Sequence, residues 1–124
     1  MEKKTVLIVE DEALITFQIM EILTGAGYDV IDTVLSGEEA VEKIGMEPSL
    51  DLILMDIGLL GKLTGLETAK AIREQSEVPI VFITAYEDEK TVAGIQDIPR
   101  SCIIPKPFED SSILEAARKM GQLA

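Results

Sequence analysis

The chain has 124 residues, enough for one domain with a single core, and its 47% hydrophobic content argues against a disordered chain. Eleven basic against 23 acidic residues give a formal charge of −12. So acidic a chain repels nucleic acid and anionic membrane unless a basic patch exists, and Lys3-Lys4 and Arg118-Lys119 are only pairs. There is no His and one Cys, Cys102, which excludes a Cys/His metal site, an internal disulfide and a His-activated nucleophile. Cys102 lies in an apolar run and reads as a buried small hydrophobe. No apolar run approaches the length of a membrane span, and no signal-peptide pattern opens the chain. The expected location is cytoplasmic.

The first predicted strand is Thr5 to Val9, followed by Glu10, Asp11 and Glu12. A helix is expected from about Ala13 to Ala26, with Ile15, Ile19, Ile22 and Leu23 as its core stripe and Gly25 and Gly27 to stop it. Leu14 and Phe17 lie off that stripe. Tyr28 to Val34 reads as the second strand. Ser36 and Glu39 form a capping box that opens a short helix to about Ile44, ended by Gly45 and Pro48. The run Asp51 to Met55 is too short for a helix and suits a strand buried on both faces of a parallel sheet. Asp56 follows it, and should sit at its carboxyl end because Asp is disfavoured inside strands.

Thr64 and Glu67 form a second capping box, opening a helix to about Gln75. Ile80 to Thr84 is the fourth strand. Glu87 to Ile95 is a weak helix holding Thr91, Val92 and Gly94. Ser101 to Ile104 is the fifth strand, and Pro105 and Pro107 suit the end of an edge strand. The last helix is expected from about Asp110 to Met120, with Ile113, Ala117 and Met120 inward. Five strands alternating with five helices mean an α/β fold, a doubly wound parallel sheet covered on both faces.

In such a sheet, ligands gather beyond the carboxyl ends of the strands, and the ends of strands 1 and 3 meet at the switch point. That brings Glu10, Asp11 and Asp56 together. Two carboxylates about 4 Å apart repel by roughly 1 kcal/mol in water and about 4 at an effective dielectric near 20. The cluster therefore favours a hard divalent cation, and few protein ligands on an exposed loop suit Mg²⁺ better than Ca²⁺. With a metal present, Asp56 can act as a nucleophile toward phosphorus. Lys106, after strand 5, is the candidate cation for the transferring oxygens, and the Thr84 hydroxyl, after strand 4, is a candidate donor.

The order and spacing of these pieces resemble the receiver domain of bacterial and archaeal two-component response regulators, over essentially the whole of 1–124. Val6-Leu7-Ile8-Val9-Glu10-Asp11-Glu12 resembles the family's first strand and acidic pair, and Leu54-Met55-Asp56 its phosphoacceptor strand. Gly65-Leu66-Glu67, Thr84-Ala85 and Lys106-Pro107-Phe108 match further family motifs. The resemblance implies a flavodoxin-like sheet of order 2-1-3-4-5. It implies that Asp56 takes a phosphoryl group from a histidine kinase or phosphotransfer protein, with no catalysis beyond its own phosphorylation and dephosphorylation. Mg²⁺ would be held by Asp11, Asp56 and the Gly58 backbone carbonyl, with Glu10 acting through water. Lys106 would contact the phosphoryl oxygens and Thr84 would move to bond one. The Lys106-Pro107 bond would be cis. The partners implied are a kinase, a downstream protein or an output domain beyond this chain, and a homodimer through helix 4, strand 5 and helix 5. Neither nucleic acid nor membrane is an expected partner.

Four features depart from the family pattern. Leu60 stands where the loop after the phosphoacceptor usually carries Pro, and that loop is one residue longer. Ile103 stands at the place of the family's switch aromatic, and Tyr86 lies nearby without that role. Pro105 precedes Lys106, which would stiffen that edge. Other chemistries fit less well. A haloacid-dehalogenase-type phosphatase needs an Asp where Gly58 stands, a flavodoxin needs a phosphate loop where Glu10-Asp11-Glu12 stands, and no glycine-rich nucleotide motif occurs.

Overall fold

The fold is read from a computed structural model that describes residues 3–59, 61–85 and 88–122. Leu60, Tyr86 and Glu87 lie outside the described residues. In chain order the elements are β1 (Thr5–Val9), α1 (Ala13–Gly25), β2 (Asp29–Val34), α2 (Gly37–Met46), β3 (Leu52–Asp56), α3 (Gly65–Gln75), β4 (Ile80–Thr84), α4 (Glu89–Gln96), β5 (Ser101–Pro105) and α5 (Asp110–Gly121). All pairings are parallel, in the order β2-β1-β3-β4-β5.

The apolar runs of the central strands are buried on both faces, and their period of two divides them between two cores. Leu7, Val9, Ile53, Met55, Ile80 and Phe82 point to one face, against Ala40, Ile44, Ala69, Ile72 and Ile95 of α2, α3 and α4. Val6, Ile8, Leu52, Leu54, Val81 and Ile83 point to the other, against Ile19, Leu23, Ile113, Ala117 and Met120 of α1 and α5. Leu14 and Phe17 are turned outward, 85% and 59% exposed.

The structure corrects several boundaries. Strand β2 begins at Asp29, because Tyr28 closes α1: its N–H donates to the Leu23 carbonyl and the Gly27 N–H to that of Thr24, with Gly27 at φ 94. Gly45 lies inside α2, which ends only at Met46 before Pro48. The Ser36 hydroxyl accepts from the Glu39 N–H, but the Glu39 carboxylate turns to the Leu35 N–H at 2.8 Å, so only half of the first capping box forms. The Thr64–Glu67 box is complete. Helix α4 starts at Glu89, capped by Asp88, which accepts from the Lys90 N–H. Strand β5 includes Pro105 and β3 includes Asp56. Cys102 is half-buried, because β5 is an edge strand with one neighbour.

The candidate phosphoacceptor site

Each strand delivers its polar residue to the same end of the sheet. Strand β1 is prolonged past Val9 by a bond from the Glu10 N–H to the Val34 carbonyl, which buries Glu10 to 2% exposure. Asp56, the last residue of β3, is 7% exposed, and its Oδ1 accepts from the Gly58 N–H at 3.0 Å. Thr84 ends β4 beside Pro105 and is buried. Its carbonyl accepts from the Lys106 N–H at 2.8 Å, which ties the lysine backbone to the strand next door. The Lys106-Pro107 bond is cis.

Glu10, Asp11, Glu12 and Asp56 each bring a carboxylate oxygen into one cluster, all within 4.8 Å of one another. Such a set of hard oxygen donors fits a hard divalent cation rather than a soft one. The cation set against them is Lys106. Its Nζ lies 3.1 Å from Glu10 Oε1, 3.5 Å from Asp56 Oδ2 and 3.9 Å from Glu12 Oε1. The other oxygen of Glu10 accepts from the N–H groups of Asp11 and Glu12. Four carboxylates against one ammonium leave an excess of three negative charges when all are ionised.

Two titrations record this crowding. Burial first, and then the charge and hydrogen bond of Asp56, raise the Glu10 carboxyl from 4.5 to about 7 against the pull of Lys106. Burial alone would lower the Lys106 ammonium. The Glu10 hydrogen bond and the charges of Asp56, Glu10 and Glu12 outweigh it, and the net shift is upward.

All the residues expected at the site from sequence, Glu10, Asp11, Asp56, Gly58, Thr84 and Lys106, fall at this sheet end. Glu12 was not among them, although its place next to the acidic pair was a signal. It is the residue before α1 and could have capped that helix, yet it makes no capping bond and lies near Lys106 instead. The direct pairing of Lys106 with Glu10, across 96 residues of chain, had no sequence signal.

A five-stranded parallel sheet of this order, with acidic residues and a lysine at its carboxyl end, defines the flavodoxin-like receiver class. The chain belongs to the response regulator receiver domain family, whose model matches residues 6–118. Among curated relatives, the transcriptional regulatory protein PdtaR of Mycobacterium tuberculosis (strain H37Rv) is 33% identical over 113 residues, covering 91% of this chain and 54% of that protein. The chemotaxis protein CheY of Treponema pallidum is 35% identical, covering 89% of this chain and 77% of that protein. The chain thus spans about half the length of the transcriptional regulators it matches. Among solved structures, the N-terminal domain of a response regulator/sensory box/GGDEF protein from Carboxydothermus hydrogenoformans superposes with a TM-score of 0.86 at 36% identity, covering 97% of this chain and 95% of that one. The CheX–CheY–BeF3–Mg²⁺ complex from Borrelia burgdorferi superposes with a TM-score of 0.85 at 29% identity, covering 98% of this chain and 90% of that one. Among the described residues, no helix is long and apolar enough to cross a membrane.

Proposed function

We propose that residues 1–124 form one receiver domain that works as the phosphoacceptor switch of a two-component phosphorelay, with Asp56 as the acceptor. The observation that carries this reading is Lys106 Nζ at 3.5 Å from a buried Asp56 oxygen inside a cluster of four carboxylates. An Asp56 oxygen forms the new bond to phosphorus. The phosphorus–nitrogen bond of a phosphohistidine on a kinase or phosphotransfer protein breaks, and its electron pair leaves with the imidazole. Mg²⁺ would be held by Asp11, Asp56 and the Gly58 carbonyl, with Glu10 acting through water, and would neutralise charge on the transferring oxygens. Lys106 adds a fixed positive charge there, and the Thr84 hydroxyl donates to the phosphoryl group once formed. Beyond its own phosphorylation and dephosphorylation the domain is not an enzyme, and it acts in the cytoplasm.

Phosphorylation shifts a two-state equilibrium of the surface from β4 to α5. Ile103, half-buried against the α2–α4 core, takes the place of an aromatic switch residue, so the shift proceeds without an aromatic rotamer there. The edge strand β5, with half-buried Cys102 and Ile103 and exposed Pro105, supports output through a downstream protein, a further domain or a homodimer with α4 and α5. The net charge of −12 speaks against direct nucleic-acid contact.

The kinase is proposed to dock on α1. Leu14 and Phe17 are exposed there, and the same helix lines a cavity of about 340 Å³ with Ile15 and Gln18, opposite Lys106 and Phe108. Phe17→Ser should slow transfer from the kinase; an unchanged rate would remove α1 from the docking surface.

The test of the main reading is intact mass after incubation with acetyl phosphate, with and without Mg²⁺, on wild type and Asp56→Asn. We expect a gain of one phosphoryl group that needs both Mg²⁺ and Asp56. No gain in wild type would leave a domain that only binds partners.

A further inference from the structure

The loop between β3 and α3 carries Gly58 and is closed like a noose. At its base the Gly65 N–H donates to the Ile57 carbonyl at 3.1 Å, and a Cβ on Gly65 would come within 2.5 Å of Ile57 Cα. At its far side the Leu63 N–H donates to Glu38 Oε1 at 2.7 Å, across 25 residues of sequence. Glu38 Oε2 also faces Gly61, at 3.3 Å from where a Cβ would be, and Gly61 sits at φ 119, a conformation that favours glycine. Glu38 itself stands on a rigid platform. Gly37 is buried, and a Cβ there would collide with the Thr68 hydroxyl, so the start of α2 lies directly on α3. The same missing Cβ leaves room for Leu63, whose own Cβ is 3.1 Å away.

We infer that Glu38 is a positioning residue for the phosphoacceptor site: it fixes the far side of the loop and so the direction of the Gly58 carbonyl. The inference rests on the reading above, in which that carbonyl is a metal ligand. The physical need comes from the glycines. Gly58 and Gly61 give this loop more backbone freedom than ordinary residues would. Its near side is held by buried Ile57 and Leu59 and by the Gly58 N–H on Asp56. A charge-assisted bond from a fixed helix restrains its far side. The plain role of an acidic residue in a first helical turn, to favour the helix dipole, predicts neither the 2.7 Å contact nor the approach to Gly61.

The experiment uses metal-free wild type, Glu38→Ala and Glu38→Gln. Backbone hydrogen exchange in residues 58–64 is measured, and Mg²⁺ affinity is taken by calorimetry. Glu38→Ala should speed exchange through the loop and weaken Mg²⁺ by about threefold to tenfold, below the ~10–100-fold seen when a partner of a direct ligand is lost. Glu38→Gln keeps an acceptor oxygen and should recover most of both, whereas a dipole effect would be lost equally in the two variants. Unchanged loop exchange and Mg²⁺ affinity in Glu38→Ala would overturn the inference, as would a Gln variant no better than Ala. A wild type that binds Mg²⁺ yet takes no phosphoryl group from acetyl phosphate would overturn the phosphoacceptor reading alone, because neither readout here depends on phosphorylation.

Discussion

Polar side chains bond backbone at both ends of the sheet, but at the carboxyl end like charges also crowd together. At the amino end they are used on backbone. Arg73, at the end of α3, donates from Nη1 to the carbonyls of Ser76 and Val78 and from Nη2 to those of Pro99 and Arg100, at 2.8 to 3.5 Å. Asp51 Oδ2 accepts from the Thr5 N–H at 2.8 Å, and the Asp51 N–H donates back to Thr5. Arg100 Nε donates to the Glu77 carbonyl. At the carboxyl end, carboxylates face one another with Lys106 between them. One end holds strands and loops in place; the other keeps like charges close, an arrangement that favours binding over stability.

The largest expected effect tests the amino end. Arg73→Met removes the donor from four carbonyls, in bonds that are part-buried and, at Pro99, exposed. Denaturant melts should show a loss of about 3 kcal/mol, the scale of several bonds to one charged donor. The Mg²⁺-dependent mass gain should survive under folding conditions, because the substitution touches nothing at the other end. A loss of phosphorylation in folded Arg73→Met would mean the two ends are coupled.

Next in size is the pH dependence of the carboxyl end in EDTA. Folded Glu10 keeps its proton up to about pH 7, whereas the unfolded chain releases it near 4.5. Between those values the folded state binds more protons, so its stability declines as pH rises. The decline should be on the order of 2 kcal/mol from pH 5 to pH 8, and Glu10→Gln should flatten it. Asp32, held low by Lys43, acts only below its ordinary 3.8 and so outside this window. Stability that stays level from pH 5 to pH 8 in wild type would show that Glu10 is not crowded.

Legibility in the sequence divides along the same line. The strand runs, the Thr64–Glu67 box and the inward face of α5 were readable because local periodicity and capping follow local rules. The placement of Asp56, Thr84 and Lys106 at one end of the sheet was readable because a strand's end fixes which side of the sheet a residue reaches. What long-range packing decides was not readable. The Glu10–Lys106 pair spans 96 residues, and Glu38–Leu63 spans 25. Arg73 looks in sequence like any basic residue in a last helical turn. Gly45 looked like a stop signal, but α2 continues through it for one more residue.

The smallest effect decides whether the carboxyl end is strained at all. Asp56→Asn removes one charge that repels three neighbouring carboxylates and attracts one lysine at 3.5 Å. At pH 8, with Glu10 ionised, repulsion outweighs attraction, and the Asn variant should be more stable in EDTA by about 1 to 2 kcal/mol. Toward pH 5.5 Glu10 is protonated in the folded state and can donate to Asp56, so one of the three repulsions gives way to a hydrogen bond and the gap should narrow. Excess Mg²⁺ should reverse the order, because only the wild type keeps the full carboxylate set. A plain loss of packing in the Asn variant would give the same difference at both pH values and with either metal content. A variant less stable at pH 8 would mean that the Lys106 pair dominates, and the contrast between the two ends would then be one of geometry and not of charge.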